Sequence, residues 1–190
     1  MAFDFRNIGE VDTGRLLLRK ITKADVSHIY SFTSNPVGKE FLSWEPHESI
    51  GRTAAFVDFL LTRYESGDPV QWGIELKETQ TIIGITGFVD YTAEHNRGEI
   101  AYLMSPDYEG KGYMTEANGA VLRYGFEIMR LNRIQAKAEL LNIASQKVME
   151  KIGMAEEGVM RQYIYQKGAY RDYKLYSILS SEYYNGREPK

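Results

Sequence analysis

Two glycines flank a lysine at Gly110, Lys111 and Gly112, where a strand-like segment gives way to a helical one. Residues 98–105 alternate like a strand, and residues 113–129 form an amphipathic segment. Backbone amides at such a turn, and at the first turn of the following helix, form a concave donor site for phosphate oxygens. Glycine suits this place because a side chain would block close approach and forbid some backbone angles. The turn therefore indicates an anion site, unless it is a glycine-rich helix entry with no ligand.

Two nucleotide-binding motifs do not fit this turn. A P-loop needs Ser or Thr after its lysine, whereas Lys111 is followed by Gly112. A dinucleotide fingerprint needs a third glycine, where this chain has Thr115. The spacing alone leaves the identity of the anion open.

The composition excludes several kinds of chemistry. The chain of 190 residues has no cysteine, which removes a thiol nucleophile, a disulfide and a cysteine-based zinc site. His28, His47 and His95 are far apart and lack the spacing of metal ligands, so we expect no metal. A net charge of −3 gives no sign of a nucleic-acid surface.

The sequence also carries no membrane signal. No apolar run approaches the roughly 20 residues that a transmembrane helix needs. The N-terminus has an early acid and no apolar core, which is not the pattern of a signal peptide. We therefore expect a cytoplasmic protein with no nucleic-acid or membrane partner. The fourteen tyrosines cluster late, where pairing across strands explains them better than a platform for stacking bases.

The order of elements predicts one domain over residues 1–190, with helices packed on a mixed sheet. The pattern is β-α-α-β-β-β-α-β-α-β-β, with antiparallel strands in the middle and a β-α-β crossover later. The first helix is expected to open with a capping box formed by Thr22 and Asp25. Ser49 is the expected N-cap of the second helix.

Several segments together resemble the Gcn5-related N-acetyltransferase (GNAT) superfamily. They are "GEIAYLMSPDYEGKGYMTEA", then "NIASQKVMEKIGM" about thirty residues later, the opening "RLLLRKIT" and the closing "EGVMRQYIYQKGAYRDYKLYSIL". More narrowly, they are similar to the branch that includes the Rim-type ribosomal-protein N-terminal acetyltransferases. The resemblance implies an α+β fold, with a mostly antiparallel sheet of about seven strands, a splayed parallel pair and about four helices. Residues 1–14 would be an N-terminal extension and 183–190 a tail.

The resemblance implies that the anion is the pyrophosphate of acetyl-CoA, bound as co-substrate. The family's phosphate signature falls on Glu109, Gly112 and Met114, and the first and last of these depart from it. Because backbone amides carry the interaction, we expect the turn to bind the coenzyme and Glu109 to point away. Asn142 would bind the pantetheine arm or act as an ordinary helix N-cap, two roles that are compatible. The implied coenzyme contacts are Gly110, Lys111, Gly112, Tyr113, Met114 and Thr115 at the turn, Leu103 and Met104 on the strand, and Asn142 and Ser145 beyond the next strand.

Acetyl transfer to an amine needs a base for the nucleophile and a proton for the departing thiolate. Glu99 matches the place of a catalytic glutamate in part of the superfamily, although it could be an edge carboxylate paired with Arg97 or another cation. Ser145 would donate the proton or orient the thiol, unless it is a solvent-facing serine. Two other acid–base positions of the family hold Met149 and Ile164 here. Without cysteine, direct attack in a ternary complex is expected.

The acceptor site would border the loop that carries Trp44, Glu45 and His47, where an aromatic beside an acid suits a cationic amine. Trp44 packed on the sheet and Glu45 in solvent are the alternatives. Asp172 matches the closing motif and is interpreted as structural or substrate-shaping. The branch implies a protein N-terminal α-amine as acceptor and a possible homodimer. A small-molecule acceptor such as a polyamine, aminoglycoside or amino acid, or a non-catalytic acyl-CoA-binding regulatory domain, is the alternative.

Overall fold

The structure, a computed structural model, describes residues 3–36, 40–42 and 44–185. Within these residues a sheet of eight strands has the order β1-β2-β3-β4-β5-β6-β8-β7. Neighbouring strands are antiparallel except β5 and β6, which are parallel. The strands are β1 (Val11–Asp12), β2 (Leu16–Arg19), β3 (Gln71–Leu76), β4 (Thr81–Thr92), β5 (Arg97–Met104), β6 (Arg133–Glu139), β7 (Ala155–Gln166) and β8 (Ala169–Leu179).

The described part of the chain forms five α-helices. They are α1 (Val26–Thr33), α2 (Ile50–Ser66), α3 (Tyr113–Arg123), α4 (Ile143–Lys151) and α5 (Ser180–Asn185). Thr22 and Asp25 form the predicted capping box, around a short 3-10 turn that leads into α1. The Ser49 side chain accepts from the Arg52 amide at the start of α2. Both predicted caps are confirmed.

The α+β class and the mostly antiparallel sheet with one parallel pair are confirmed, with one more strand and one more helix than predicted. The added strand, β1, has two residues and pairs with residues 17 and 18 of β2. Such a strand is too short to show alternation in a sequence. The added helix, α5, has six residues, which is less than two turns.

The terminal segments belong to the folded core, whereas the sequence analysis treated them as an extension and a tail. Phe5 and Ile8 are buried, and the Trp72 indole donates to the Gly9 carbonyl at 2.8 Å. Tyr183 is also buried. These apolar side chains cover parts of the core that would otherwise face water. Residues 1, 2 and 186–190 of the predicted extension and tail lie outside the described residues.

Strand β4 is the centre of the sheet and positions α3. Residues 82–88 are buried without interruption, so both faces of this strand are covered, which explains its continuous apolar sequence. The buried Thr86 hydroxyl donates to Asn118 Oδ1 at 2.6 Å. This bond ties α3 to β4 at Thr86, the residue that pairs with Tyr102 of β5.

Candidate active site

Strands β5 and β6 pair at one end and separate at the other. The described parallel ladder joins Arg97–Glu99 of β5 to residues 133–135 of β6. Beyond it lies a cavity of about 430 Å³, whose walls include residues 99–103 of β5 and 137–139 of β6. Leu103 lines this cavity, whereas Met104 is half-buried against the core. The separation gives an extended ligand arm room to lie beside β5 as an added strand.

The glycine turn has the backbone of an anion site. Gly110 and Gly112 have φ values of 74° and 79°, in the left-handed region that favours glycine. Gly112 is the N-cap of α3, and no side chain of the described residues caps this helix start. The first amides of a helix have no intrahelical partner, and the helix dipole favours an anion there. The amides of the turn are thus available for a ligand.

The side chains of the turn point in different directions. Lys111 folds back, because its Nζ donates to the Asp107 carbonyl at 3.0 Å. Met114 is buried, Tyr113 and Thr115 are half-buried, and Glu109 is exposed. Charge from Lys111 therefore lies on the preceding turn, and any close contact to the ligand falls to the backbone.

Asn142 and Ser145 lie at the start of α4, on the wall of the cavity. Asn142 Oδ1 accepts from the Ser145 amide at 3.0 Å, so the side chain is a helix N-cap. Ser145 Oγ lies 2.8 Å from the hydroxyl of Tyr102, which also donates to the Ser145 carbonyl at 3.1 Å. Burial raises the pKa of Tyr102 to about 12. This phenol stays protonated at neutral pH and holds the serine hydroxyl at the cavity.

Glu99 lies at the ladder end of the cavity and is engaged on both oxygens. Oε1 pairs with Lys137 Nζ at 2.9 Å, and Oε2 accepts from Gln135 Nε2 at 2.9 Å. The structure thus contains the ion pair considered from the sequence, with Lys137 as the cation. Burial acts to lower the pKa of Lys137, but the bonds to the Tyr163 hydroxyl and to Glu99 outweigh it and raise that pKa. The lysine is therefore charged, and each carboxylate oxygen keeps a lone pair for a further donor.

The loop before α2 contributes an aromatic wall. Trp44 lines the cavity together with Phe56 and the neighbouring residues 41–42. His47 is buried behind Trp44, with ring centroids 5.0 Å apart, and its Nδ1 lies 2.8 Å from Thr53 Oγ1. Glu45 is exposed. Of the three loop residues predicted near the acceptor, Trp44 touches the cavity, His47 supports it and Glu45 faces solvent.

Asp172 lies on β8 and holds a bulge in β7. Its Oδ1 accepts from the Gln162 amide at 2.7 Å, where the register between β7 and β8 shifts. Gln162 has a φ of 51°. Among the described residues, Ile164 beside this bulge lines the cavity and Asp172 does not. Asp172 thus bonds the backbone of the bulge next to Ile164 and lies outside the cavity lining.

In residues 3–36, 40–42 and 44–185, no three His, Cys, Asp or Glu side chains are grouped to hold a metal ion. None of the helices described in this chain combines the length and apolar character needed to cross a bilayer.

Comparison with known proteins decides the family. The family model described as "Acetyltransferase (GNAT) domain" matches residues 15–155, well over half of the chain. The chain belongs to the GNAT acetyltransferase family. It is accordingly an N-acetyltransferase, built on a fold that uses acetyl-CoA.

Relatives of this GNAT enzyme match nearly end to end. The uncharacterized N-acetyltransferase YoaA of Bacillus subtilis is 35% identical over 169 residues, which are 89% of this chain and 96% of that protein. A spermidine N(1)-acetyltransferase of Vibrio cholerae is 24% identical over 92% of this chain and 98% of its own.

Solved GNAT structures share the architecture. An acetyltransferase from Bacillus anthracis superimposes with a TM-score of 0.82 at 30% identity, covering 91% of this chain and 99% of that one. RimL, a ribosomal L7/L12 alpha-N-protein acetyltransferase solved with coenzyme A, has a TM-score of 0.82 at 20% identity, covering 90% and 98%. At that identity the likeness to RimL is one of fold alone.

Two residues of the GNAT cavity escaped the sequence analysis. Tyr102 is one of fourteen tyrosines in the chain, and Lys137 is a single lysine in a predicted strand, so neither stands out in the sequence. Their significance comes from their partners, Ser145 and Glu99, which lie far away in the chain. Met149, at the place of the family's tyrosine acid, is fully buried in the core.

Proposed function

We propose that this GNAT enzyme transfers the acetyl group of acetyl-CoA to a protein N-terminal α-amine, by direct attack in a ternary complex. The glycine turn and uncapped start of α3 suit the pyrophosphate, and the separated strands suit the pantetheine arm. Acetyl-CoA supplies an activated acyl group. The chain's own residues bind and orient the two substrates and move the protons.

Glu99 is the proposed base, acting through a water molecule. The observation that favours an α-amine is that both Glu99 oxygens already accept hydrogen bonds, from Lys137 and Gln135. A carboxylate whose two oxygens both already accept hydrogen bonds has fewer lone pairs left to take up a further proton. An α-amine with a pKa near 8 costs about 1.4 kcal/mol to deprotonate at pH 7, whereas a lysine-like amine costs about 4.6 kcal/mol. The acceptor that needs less help from the base is therefore favoured.

Ser145 is the proposed donor of the proton that the departing thiolate takes up. Its hydroxyl is held at the cavity by Tyr102, and Asn142 fixes the helix start that carries it. The position of the missing tyrosine acid, Met149, is buried and offers no proton. The serine hydroxyl would pass this proton to the thiolate while it takes one from a water molecule, so no alkoxide forms and no stronger acid is needed.

A polyamine is the second candidate acceptor. It is favoured by the likeness to spermidine N(1)-acetyltransferase and by two carboxylates on the cavity wall, Glu99 and Glu139. Each of these has a cationic partner, Lys137 at 2.9 Å and Arg171 at 3.8 Å. A ligand with several positive charges would gain more from carboxylates that are not already neutralised, so the polyamine ranks second.

The test is thiol release from acetyl-CoA with matched acceptors, after titration calorimetry with acetyl-CoA itself. A peptide with a free N-terminus is compared with its Nα-acetylated form, which keeps any lysine, and with spermidine, an aminoglycoside and single amino acids. Selective turnover of the free peptide supports the proposal. Faster turnover of spermidine than of the free peptide would instead support a polyamine as the acceptor. Binding without turnover of any amine indicates a binding domain, and a folded protein that binds no acetyl-CoA refutes the cofactor assignment.

A further inference from the structure

Arg15 reaches over the glycine turn from the chain segment just before β2. Its Nε donates to Glu116 Oε2 at 2.7 Å, and its Nη1 donates to the Lys111 carbonyl at 3.0 Å. The guanidinium carbon lies 4.4 Å above the centroid of the Tyr113 ring. One planar group therefore contacts both the turn and the first turn of α3.

The bond to the Lys111 carbonyl sets the direction of one peptide group. The peptide between Lys111 and Gly112 is trans and planar, so its C=O and N–H point in opposite directions. Glycines at 110 and 112 leave this plane poorly restrained by sterics. Because Arg15 holds the carbonyl on its own side, the Gly112 amide is turned to the other side of the turn.

We propose that Arg15 is a positioning residue for the coenzyme pyrophosphate, holding the Lys111–Gly112 peptide so that its amide faces the phosphate oxygens. The inference rests on the proposed acetyl-CoA site. It also explains how the chain binds a diphosphate with Glu109 at the first position of the phosphate signature. Position 109 lacks the cationic or amide side chain of the family signature. Arg15 would offset this lack indirectly, by orienting the backbone of the turn through its bond to the Lys111 carbonyl.

The Arg15 side chain also forms an ion pair with the carboxylate of Glu116, in the first turn of α3. Glu116 Oε1 accepts from the Thr13 hydroxyl at 2.7 Å and from the Arg15 amide at 2.8 Å, while Oε2 accepts from the guanidinium. A carboxylate beside the turn would repel phosphate if it were free to swing. The Thr13 hydroxyl and the Arg15 amide hold one oxygen, and the guanidinium pairs with the other, so loss of the Arg15 side chain would leave a negative charge unpaired beside the turn.

If Arg15 only linked β2 to α3 as part of the fold, it would make the same bond to Glu116. The test therefore needs an acetyl donor that lacks the phosphates. S-acetylpantetheine carries the acetyl group and the arm of acetyl-CoA but no pyrophosphate. Arg15→Met and Arg15→Lys are compared with Arg123→Met. Arg123 is an exposed residue at the end of α3, and its Nη2 donates to the Asp12 carbonyl at 3.4 Å. This control therefore removes one positive charge at a position far from the glycine turn.

Arg15→Met is expected to weaken acetyl-CoA binding about tenfold in titration calorimetry, while kcat/KM with S-acetylpantetheine stays within twofold of the wild type. Arg15→Lys, which can replace one of the two bonds, is expected to lose about threefold, and Arg123→Met to change neither value. An equal loss with both donors would reduce Arg15 to a structural tether and overturn the proposal, as would unchanged acetyl-CoA binding. Wild-type protein that binds no acetyl-CoA would instead refute the proposed function itself.

Discussion

Tyr102→Phe removes one buried hydroxyl that lies 2.8 Å from Ser145 Oγ and 3.1 Å from the Ser145 carbonyl oxygen. A neutral hydrogen bond is worth about 0.5–1.5 kcal/mol net, which corresponds to about a 2- to 13-fold change in rate. If the phenol orients the serine hydroxyl for proton donation, this loss falls on kcat. The KM for acetyl-CoA should change little, because the phosphate turn is elsewhere.

The assay is steady-state thiol release by Tyr102→Phe, Ser145→Ala and the double variant. The tyrosine substitution should lose its effect in the Ser145→Ala background, because its partner is gone. Tyr183→Phe is the matched control, since it removes a buried hydroxyl that donates to Glu127 Oε1 at 2.6 Å on another part of the fold. It should lower the free energy of unfolding without lowering kcat.

The pH profile separates orientation from direct proton donation by the phenol. With its pKa raised to about 12 by burial, Tyr102 would pay about 5 kcal/mol to protonate a thiolate of pKa near 8.5. We therefore expect that titration of Tyr102 causes no rise or fall of kcat between pH 6 and pH 10. A fall of kcat at high pH that disappears in Tyr102→Phe would refute the reasoning. So would a Tyr102→Phe substitution that lowers kcat equally in the wild-type and the Ser145→Ala backgrounds.

Three further predictions concern other parts of the chain. Gly112→Glu should abolish acetyl-CoA binding in calorimetry, because φ of 79° disfavours a side chain and the carboxylate repels phosphate; retained affinity would remove the turn from the site. Glu99→Gln should lower kcat about 100-fold or more, because the amide cannot accept the amine proton, and an unchanged kcat would dismiss Glu99 as the base. Hydrogen bonds from Arg133 and Ser177 lower the pKa of Glu157 to about 2 in the folded protein. Because the pKa in the unfolded chain is near 4.3, the ionised carboxylate stabilises the fold above that pH, and this stabilisation is lost as the pH falls toward 2. Because Glu157 is 38% exposed, Glu157→Gln should cost about 1 kcal/mol of unfolding free energy at pH 7 and progressively less below pH 4; a cost independent of pH in denaturant titrations would contradict the assignment.

Features that depend on a few neighbouring residues could be predicted from the sequence. The capping box of Thr22 and Asp25 spans four residues, and Ser49 caps α2 through an amide three residues on. The turn at 110–112 likewise follows from glycines that tolerate positive φ. The separated parallel pair came instead from the family resemblance, because no local pattern shows where two strands stop pairing.

Features that depend on distant partners could not be predicted. The Tyr102 and Ser145 hydroxyls come from residues 43 apart, and Arg15 meets Glu116 across 101 positions. Lys137 pairs with Glu99 because the parallel register places Gln135 opposite Glu99 and the lysine two residues further along.

The short ladder between β5 and β6 has a consequence for the stability of the enzyme in the cell. Three residue pairs join two larger sheet segments, β1–β5 and β6–β8, and the gap beyond them leaves two strand edges inside the sheet. A coenzyme arm that fills this gap would hydrogen-bond one edge and pack against the other, so it would bind the folded state and not the unfolded chain. At 100 times its Kd, such a ligand adds about 2.7 kcal/mol to the free energy of unfolding. The lifetime of the folded enzyme would then rise and fall with the supply of its own acyl donor.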